Sequence, residues 1–460
     1  MRSATPTAAA PGRAGFPPGP RLPAPLQAID WLRGSTSVLR RCHRRYGDMF
    51  TVNLVAKVAA GPAADAEHGR WVFLAHPDHV KQLLTADPSA VRTGETNRFL
   101  EPLVGPRSIL VLDGQEHRAQ RRLMLPPLHG DHIAGYGELM SEVAEAELRR
   151  WPVGEPFGLW PSMQAITLEI IVRAVFGVRD PDRVRHVTGV LRTLLNRMTS
   201  PAWLAAHAAL ATVAGSSPAG FSRAGRRLID PVDDVINDEI ARRRVAPDLE
   251  DRTDILSLLV RARYKDGSAM TDRELRDELM TLLIAGHEST ATALAWAFER
   301  LLRHPDALER ARAEADTGGE DYAGAVAKEA LRLRPVLPFV LRALGRPMEI
   351  GGHALPAGAW LAPCAYLIHR RPDVYPEPLR FRPERFLERP EGAYTWMPFG
   401  GGVRRCLGAS FAQLEMRRVL RAVLRHADLE PADPEAERIS ARFITLAPAR
   451  GARVVLRGRR

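Results

Sequence analysis

From about residue 114 to about 315, apolar residues recur three and four positions apart, interrupted by Pro or Gly near 152, 201, 215 and 247. That period predicts a long block of helices. Before about residue 90, short helical patterns alternate with strands predicted over 49–55 and 71–75. Residues 92–112 carry neither period and read as a loop. The clearest helix starts at Thr271, spaced from Glu274 as in a capping box, and runs without proline to His304 and Pro305. At roughly 1.5 Å per residue it spans about 50 Å and must cross the body of the molecule. Its middle holds Gly286, Ser289 and Thr290 where a plain core helix would hold Leu or Ala, which predicts a groove or kink. Beyond 335 the chain turns Pro-rich and strand-like, passes through coil at 370–398 and enters a glycine-rich loop. A helix over 409–426 and strands near 442–457 complete it. No repeat or linker divides it. The fold class is mainly α, one large helical domain over 21–460 with a smaller β-rich portion near the N-terminus and C-terminus. Residues 1–20, rich in Ala, Pro and Gly, are expected to be disordered.

Composition narrows the class. Over 460 residues, 45% hydrophobic and 26% charged describe an ordinary protein with material for a core. The formal charge of +11 comes almost wholly from arginine, since lysine occurs only at Lys57, Lys81, Lys265 and Lys328. Compositional drift on a solvated surface explains this as well as a functional field does, and no nucleic-acid partner is expected. Cys42, Cys364 and Cys406 are odd in number and form no CxxC pair, which points to a reducing cytoplasm. The best membrane candidate, 281–298, is broken by His287 and Glu288. A soluble chain with no transmembrane anchor is expected.

The strongest chemical signal is Phe399-Gly400-Gly401-Gly402-Val403-Arg404-Arg405-Cys406-Leu407-Gly408, followed directly by a helix. Glycines before a cysteine let backbone wrap closely around a flat group, and a helix N-terminus beside arginines lowers a thiol pKa. A buried structural cysteine would be the plain alternative. A nucleotide-binding glycine loop fails, because Arg405 stands where glycine is required. Phe399, Gly402, Arg404, Cys406 and Gly408 match the defined positions of the haem-binding signature of cytochrome P450 enzymes. The chain resembles that family over nearly its whole length, most of all soluble bacterial members such as mycobacterial ones and a cyanobacterial group linked to fatty acids. The resemblance implies haem b with Cys406 as its axial thiolate, whose sulfur favours O–O cleavage. It also implies that Phe399 packs on the cysteine side of the haem and that Arg404 pairs with a propionate.

Ala285-Gly286-His287-Glu288-Ser289-Thr290 resembles the family's oxygen-activating stretch. Heterolytic cleavage of dioxygen needs two protons, which an acid and a hydroxyl can relay, and the resemblance puts Glu288, Ser289 and Thr290 in that catalytic role. Serine replaces the usual threonine at Ser289 and lacks the methyl that restricts its rotamer, so looser coupling is expected. A zinc-protease reading of His287-Glu288 fails because Ala291 stands where histidine is needed, and His287 is expected to be structural. Taken alone, this acid and these hydroxyls could simply bond to a neighbour.

Glu329 and Arg332 share a spacing with Glu147/Arg150, Glu239/Arg242, Glu309/Arg312 and Glu415/Arg418, which read as solvated helix pairs. The family resemblance makes the first pair different. Standing before Pro335, it would join Arg385 in a buried network supporting the cysteine loop. In 113–122, His117 and Arg121 lie four apart on one helix face, and with Arg342 they resemble the family's propionate partners. A solvated surface is the alternative for each. Residues 56–68 look like an insertion in the first sheet.

Neither a Rossmann fingerprint nor a cysteine cluster for flavin or iron–sulfur is present, so a separate electron donor, such as ferredoxin with its reductase, is required. Arg118, Arg122, Arg405, Arg417, Arg418, Arg421 and Arg425 are candidates for the face that meets it. Family resemblance places substrate contacts in 92–112, 198–220, near Ala285, in 336–341 and near Ile444. Their apolar character suggests a lipophilic small molecule, whether fatty acid, terpenoid or sterol. Two other functions are weighed: a peroxygenase driven by hydrogen peroxide, which Glu288 and Ser289 argue against, and a non-enzymatic haem sensor or carrier, which would need no proton relay.

Overall fold

The computed structural model describes residues 13–54, 69–198, 223–442 and 444–460. The expected insertion at 56–68 and nearly all of the 198–220 segment lie outside the described residues. In the first 20 residues, the described part is docked rather than free. Arg13–Ala14 pairs with His353–Ala354, and the carbonyls of Pro17 and Pro18 accept from Thr51 Oγ1 (2.8 Å) and Thr51 N (3.0 Å). Gly19 is what allows that approach, because a Cβ there would lie 1.8 Å from the Thr51 carbonyl oxygen.

The first sheet takes β1 (Met49–Asn53), β2 (Arg70–Leu74), β3 (Val91–Arg92), β4 (Arg342–Leu344) and β5 (Trp360–Pro363) in the order β1-β2-β5-β4-β3. β2 runs parallel to β5, with Trp71 opposite Trp360, and antiparallel to β1. Its aromatic face packs on α1 (Ala24–Tyr46), where Trp31 meets Phe73 at 5.6 Å and Phe339 at 5.8 Å. The helical block holds α2 (Pro77–Leu84), α3 (Gly114–Met124), α4 (Gly137–Leu148), α5 (Leu159–Phe176), α6 (Pro181–Met198), α7 (Arg223–Arg244), α8 (Ile255–Arg261), α9 (Asp272–Leu301), α10 (Pro305–Thr317), α11 (Asp321–Leu333) and α12 (Ala409–His426). α5 is apolar and long enough to cross a membrane by length and composition, but Met163, Ile166, Ile170 and Val172 are buried in the core.

α9 is the spine. Thr271 caps it reciprocally with Glu274, as the sequence predicts. It is buried along most of its length on all sides, as a helix crossing a core must be. Beyond its exposed first turn, the exception is its middle, where Ala285 is exposed and Gly286, Glu288 and Ser289 are half-buried.

Two regions depart from expectation. Residues 92–112 form successive short helical turns, Gly94–Asn97, Arg98–Leu100 and Glu101–Val104. The Asp113 carboxylate, far along the chain, accepts from the backbone N–H groups of Thr93, Gly94 and Glu95 at 2.9, 2.9 and 3.2 Å, so the first turn is capped by a residue no local pattern reveals. The C-terminal strands begin earlier than 442: Ala427–Pro431 pairs with Arg453–Arg459, and Ile439–Arg442 forms a hairpin with Thr445–Pro448.

Candidate active site

The cysteine loop leaves the core at Met397, whose N–H donates to His369 Nε2 at 2.9 Å. Gly400 and Gly402 both take φ +66°, closed to most side chains, and a Cβ on Gly402 would lie 2.7 Å from the Leu84 carbonyl oxygen. The loop closes where Cys406 N–H donates to the Phe399 carbonyl at 3.0 Å, and the Phe399 ring stands edge-on to Trp396 at 5.9 Å. Gly408 has an ordinary φ of −83°, and nothing lies within 4 Å of where its Cβ would be. Neither strain nor contact among the described residues demands glycine there, which fits a broad flat group lying close over the cysteine.

Cys406 is exposed, whereas Cys42 and Cys364 are buried. Burial pushes the Cys364 thiol up to about 12 and excludes it as a ready ligand. Contrary to expectation, the Cys406 pKa is also raised. Its side chain reaches open space yet sits deep in the body, so desolvation outweighs the Gly408 N–H, Arg121 and Arg405, which all pull it down. Arginines and a helix terminus alone do not make this thiol a thiolate; a bound metal would.

Beside the loop lies an open cleft whose lining includes Leu84, Asp113, His117, Arg342, Gly402 and Arg404. His117 and Arg342 are buried, at 3% and 4% exposure. Burial, then Arg404 and Arg121, push the His117 imidazole down to about 3; burial and Arg404 push Arg342 down to about 10. Arg121 is also held down by burial, while the nearby Cys406 raises it. The carboxylate that offsets this group is Asp113, 2.6 Å from Arg404 Nη2. Two propionates would satisfy a cationic cleft so short of acids, and the residues present therefore fit haem.

On α9 the expected residues diverge. Glu288 Oε2 accepts from Gln164 Nε2 of α5 at 2.8 Å, and burial raises its pKa against Gln164 and Arg442. Ser289 Oγ bonds back to the Ala285 carbonyl at 2.6 Å beside the open middle of the helix. Thr290 is not brought to Glu288. It is buried, and its hydroxyl helps hold down the pKa of Glu415 on α12, a carboxyl that burial keeps well above its ordinary range. Glu415 Oε1 has no bond of good geometry. His287 is structural, its ring Nδ1 lying 3.0 Å from Thr167 Oγ1.

Glu329 and Arg332, both wholly buried, pair at 2.6 and 2.8 Å. Arg332 also donates to the carbonyls of His369, Pro378 and Arg380. Glu329 accepts from Arg382 N and Arg385 Nε at 2.8 and 3.3 Å, so the pair ties α11 to the coil leading into the cysteine loop. Of the four pairs expected to be solvated, only Glu147/Arg150 forms, with its arginine exposed and its carboxylate largely covered. Glu239 pairs with Arg183, Arg312 with Asp428, and Glu415 is buried while Arg418 and Arg421 both turn to Glu320 at 2.9 and 2.7 Å. The basic face is correspondingly smaller, with Arg118, Arg122, Arg405 and Arg425 exposed.

Sequence reasoning assigned no role to Gln164, Asp113 or Arg442, and it misplaced Glu415. For Glu415 a signal existed: Phe411, Glu415 and Val419 lie four apart on one buried stripe of α12.

Comparison with known proteins identifies the family. The cytochrome P450 family model matches residues 17–452. A Mycobacterium tuberculosis protein named cytochrome P450 135B1 is 43% identical over 452 residues, covering 97% of this chain and 92% of its own length. A Mycobacterium bovis protein named cytochrome P450 138 is 38% identical over 463 residues, covering 100% of both. In fold, the chain is similar to the retinoic acid-bound cyanobacterial CYP120A1, with a TM-score of 0.78, 22% identity and coverage of 97% and 99%. It is also similar to a mutant haem domain of cytochrome P450DA, with a TM-score of 0.81, 22% identity and coverage of 98% of each chain. With a family match over nearly its whole length and a cleft that fits haem b beside an exposed cysteine, the chain belongs to the cytochrome P450 family, mono-oxygenase oxidoreductases whose haem is held by a cysteine thiolate.

Proposed function

We propose that this cytochrome P450 oxidises a lipophilic molecule of fatty-acid, terpenoid or sterol type, in a reducing cytoplasm, with electrons from a separate ferredoxin and its reductase. Residues 21–460 act as one domain for this purpose. The haem, when bound, supplies activation of dioxygen: two electrons and two protons are consumed, one oxygen atom enters the substrate and the other leaves as water. Cys406 would hold the iron, Phe399 would pack beside it, Gly408 would leave room for the ring, and Gly402 lets the loop close on Leu84. His117, Arg121, Arg342 and Arg404 neutralise the propionates. Glu288 and Ser289 hold and pass protons at the open middle of α9, and Thr290 links that helix to Glu415. The observation that carries this reading is the cation-rich cleft, with Asp113 as its acid, lined by the loop that bears the one exposed cysteine. A lipophilic substrate is supported by exposed Ala285 and Ile444, and by Phe339 and Leu341 packed at the edge of an apolar cluster. The cyanobacterial neighbour, with retinoic acid bound, offers a precedent in the same fold.

The substrate class is tested by titrating the purified enzyme with fatty acids, terpenoids and sterols and following the Soret band. A saturable shift with one lipophile class is expected; shifts with polar compounds alone would sink the reading. Ser289→Ala should divert electrons to peroxide, lowering product formed per electron consumed by about tenfold or more, whereas Ser289→Thr should raise it. Product and peroxide measured together decide this. For the donor, Arg122→Glu with Arg425→Glu is expected to slow reduction by ferredoxin about tenfold at low salt and to flatten its salt dependence, leaving reduction by dithionite unchanged.

A further inference from the structure

Upstream of Glu288, α9 carries a pair of acids that proton delivery does not use. Asp277 and Glu278 are 2% and 0% exposed. Both accept from the backbone of the segment before α3: Arg107 N donates to Asp277 Oδ2 at 2.9 Å and Ile109 N donates to Glu278 Oε1 at 2.7 Å. Between them, Ser108 Oγ and Thr281 Oγ1 lie 2.7 Å apart. Gly105 lets the backbone lie flush on this acid pair, since a Cβ there would fall 2.0 Å from Asp277 Oδ1. On its other side the same segment is gripped by the cysteine loop: the Ile109 carbonyl accepts from Arg404 Nη1 at 2.9 Å, and Arg404 Nη2 reaches Leu112 O and Asp113. A single residue, Ile109, is thus held at its N–H by the long helix and at its C=O by the arginine two positions before Cys406.

We propose that Glu278 is a positioning residue that sets, through Ile109, the stance of Arg404 beside the cofactor. This rests on the reading of Arg404 as a propionate partner. Without the Glu278 acceptor, the Ile109 N–H is left buried and unpaired, which is costly enough to shift the segment and draw its carbonyls away from Arg404. The groups facing Glu278 are few. Asp277 is tied to Arg276 at 2.9 Å, Glu274 is held by Thr271, and Gln120 on α3 accepts from Tyr264 Oη at 2.6 Å; the Arg107 guanidinium turns instead to Glu116. Gln120 Nε2 and Glu278 Oε2 each lack a partner of good geometry, although the amide is near enough to lower the acid's pKa. Burial dominates, with Asp277 and Glu274 adding to it, and raises Glu278 from 4.5 to about 8, so at neutral pH it is largely uncharged. An uncharged acid is closely imitated by glutamine, which keeps the oxygen that accepts from Ile109.

Hydrogen–deuterium exchange of the haem-loaded protein at pH 6.5 tests the link. Glu278→Leu should speed exchange about tenfold or more in peptides covering both 105–113 and 398–408, and Glu278→Gln in neither. Faster exchange confined to 105–113, or none, would overturn the proposal. If Glu278→Leu fails to fold, Ile109→Pro removes the donor while keeping the acid and should loosen the same two peptides. The reading of Arg404 is separated by the ferric reduction potential. Arg404→Gln should shift it, and Glu278→Leu should shift it in the same direction. An unmoved potential in Arg404→Gln, with both peptides loosened in Glu278→Leu, would leave the link standing and the propionate reading refuted. A pH series adds a sign. The native state holds the Glu278 proton more tightly, so stability falls as pH rises from about 4.5 to 8; Glu278→Gln lacks that fall, and its melting advantage should be largest above pH 8.

Discussion

Cys406→Ser is expected to abolish the thiolate-type band in the carbon monoxide difference spectrum and to cut turnover by ~10³-fold or more, even where haem is retained. The size of the effect follows from the absence of a substitute. Cys42 and Cys364 are packed in the aromatic cluster of the first sheet, away from the cleft, and burial keeps both thiols protonated. A serine hydroxyl is a far weaker electron donor than a thiolate. The same variant should leave secondary structure unchanged, because the loop is closed by the Cys406 N–H rather than by its side chain. A thiolate-type band persisting in Cys406→Ser would refute the assignment of the ligand; the band, circular dichroism and turnover together decide it.

Arg332→Leu is expected to destabilise the protein by about 3–5 kcal/mol and to empty much of it of haem. The substitution removes the bidentate partner of the wholly buried Glu329, leaving it only the longer ion pair with Arg385 at 3.3 Å, and takes donors from three coil carbonyls, those of His369, Pro378 and Arg380. His369 in turn holds the N–H of Met397, where the cysteine loop begins, so the damage should reach the cofactor without touching it. Glu147→Gln is the matched comparison. It breaks a pair of the same spacing whose arginine is largely exposed, and it should cost under about 0.5 kcal/mol. Denaturant unfolding and the ratio of haem to protein absorbance check both. Equal losses in the two variants would mean that the buried network carries no special weight.

These paired substitutions show where reading the chain succeeds and where it stops. Five Glu/Arg pairs share one spacing. Glu329/Arg332 was set apart only by its place before Pro335 and by the arginine downstream; Glu147/Arg150 forms as helix geometry allows, and the other three took partners that it does not supply. Residues 92–112 looked like loop because their first turn is capped by Asp113 from another element. Thr290 stood beside Ser289 in the motif, but adjacent helix positions point about 100° apart, and its hydroxyl serves Glu415 instead.

By itself the sequence determined whatever depends on local chemistry and near neighbours: the capped spine helix, the glycines of the cysteine loop, and the candidates for the thiol, acid and hydroxyl that we propose for a haem mono-oxygenase. Backbone torsion, capping and helical period act over a few residues, so they are written in order along the chain. Only the tertiary structure decided which charges are buried and what they face. It raised the Cys406 pKa where the local pattern implied lowering, left Arg418 and Arg421 committed to Glu320, and joined Glu278 to Arg404 through Ile109. Desolvation and partner choice depend on the whole surrounding volume, which elements distant in sequence fill together.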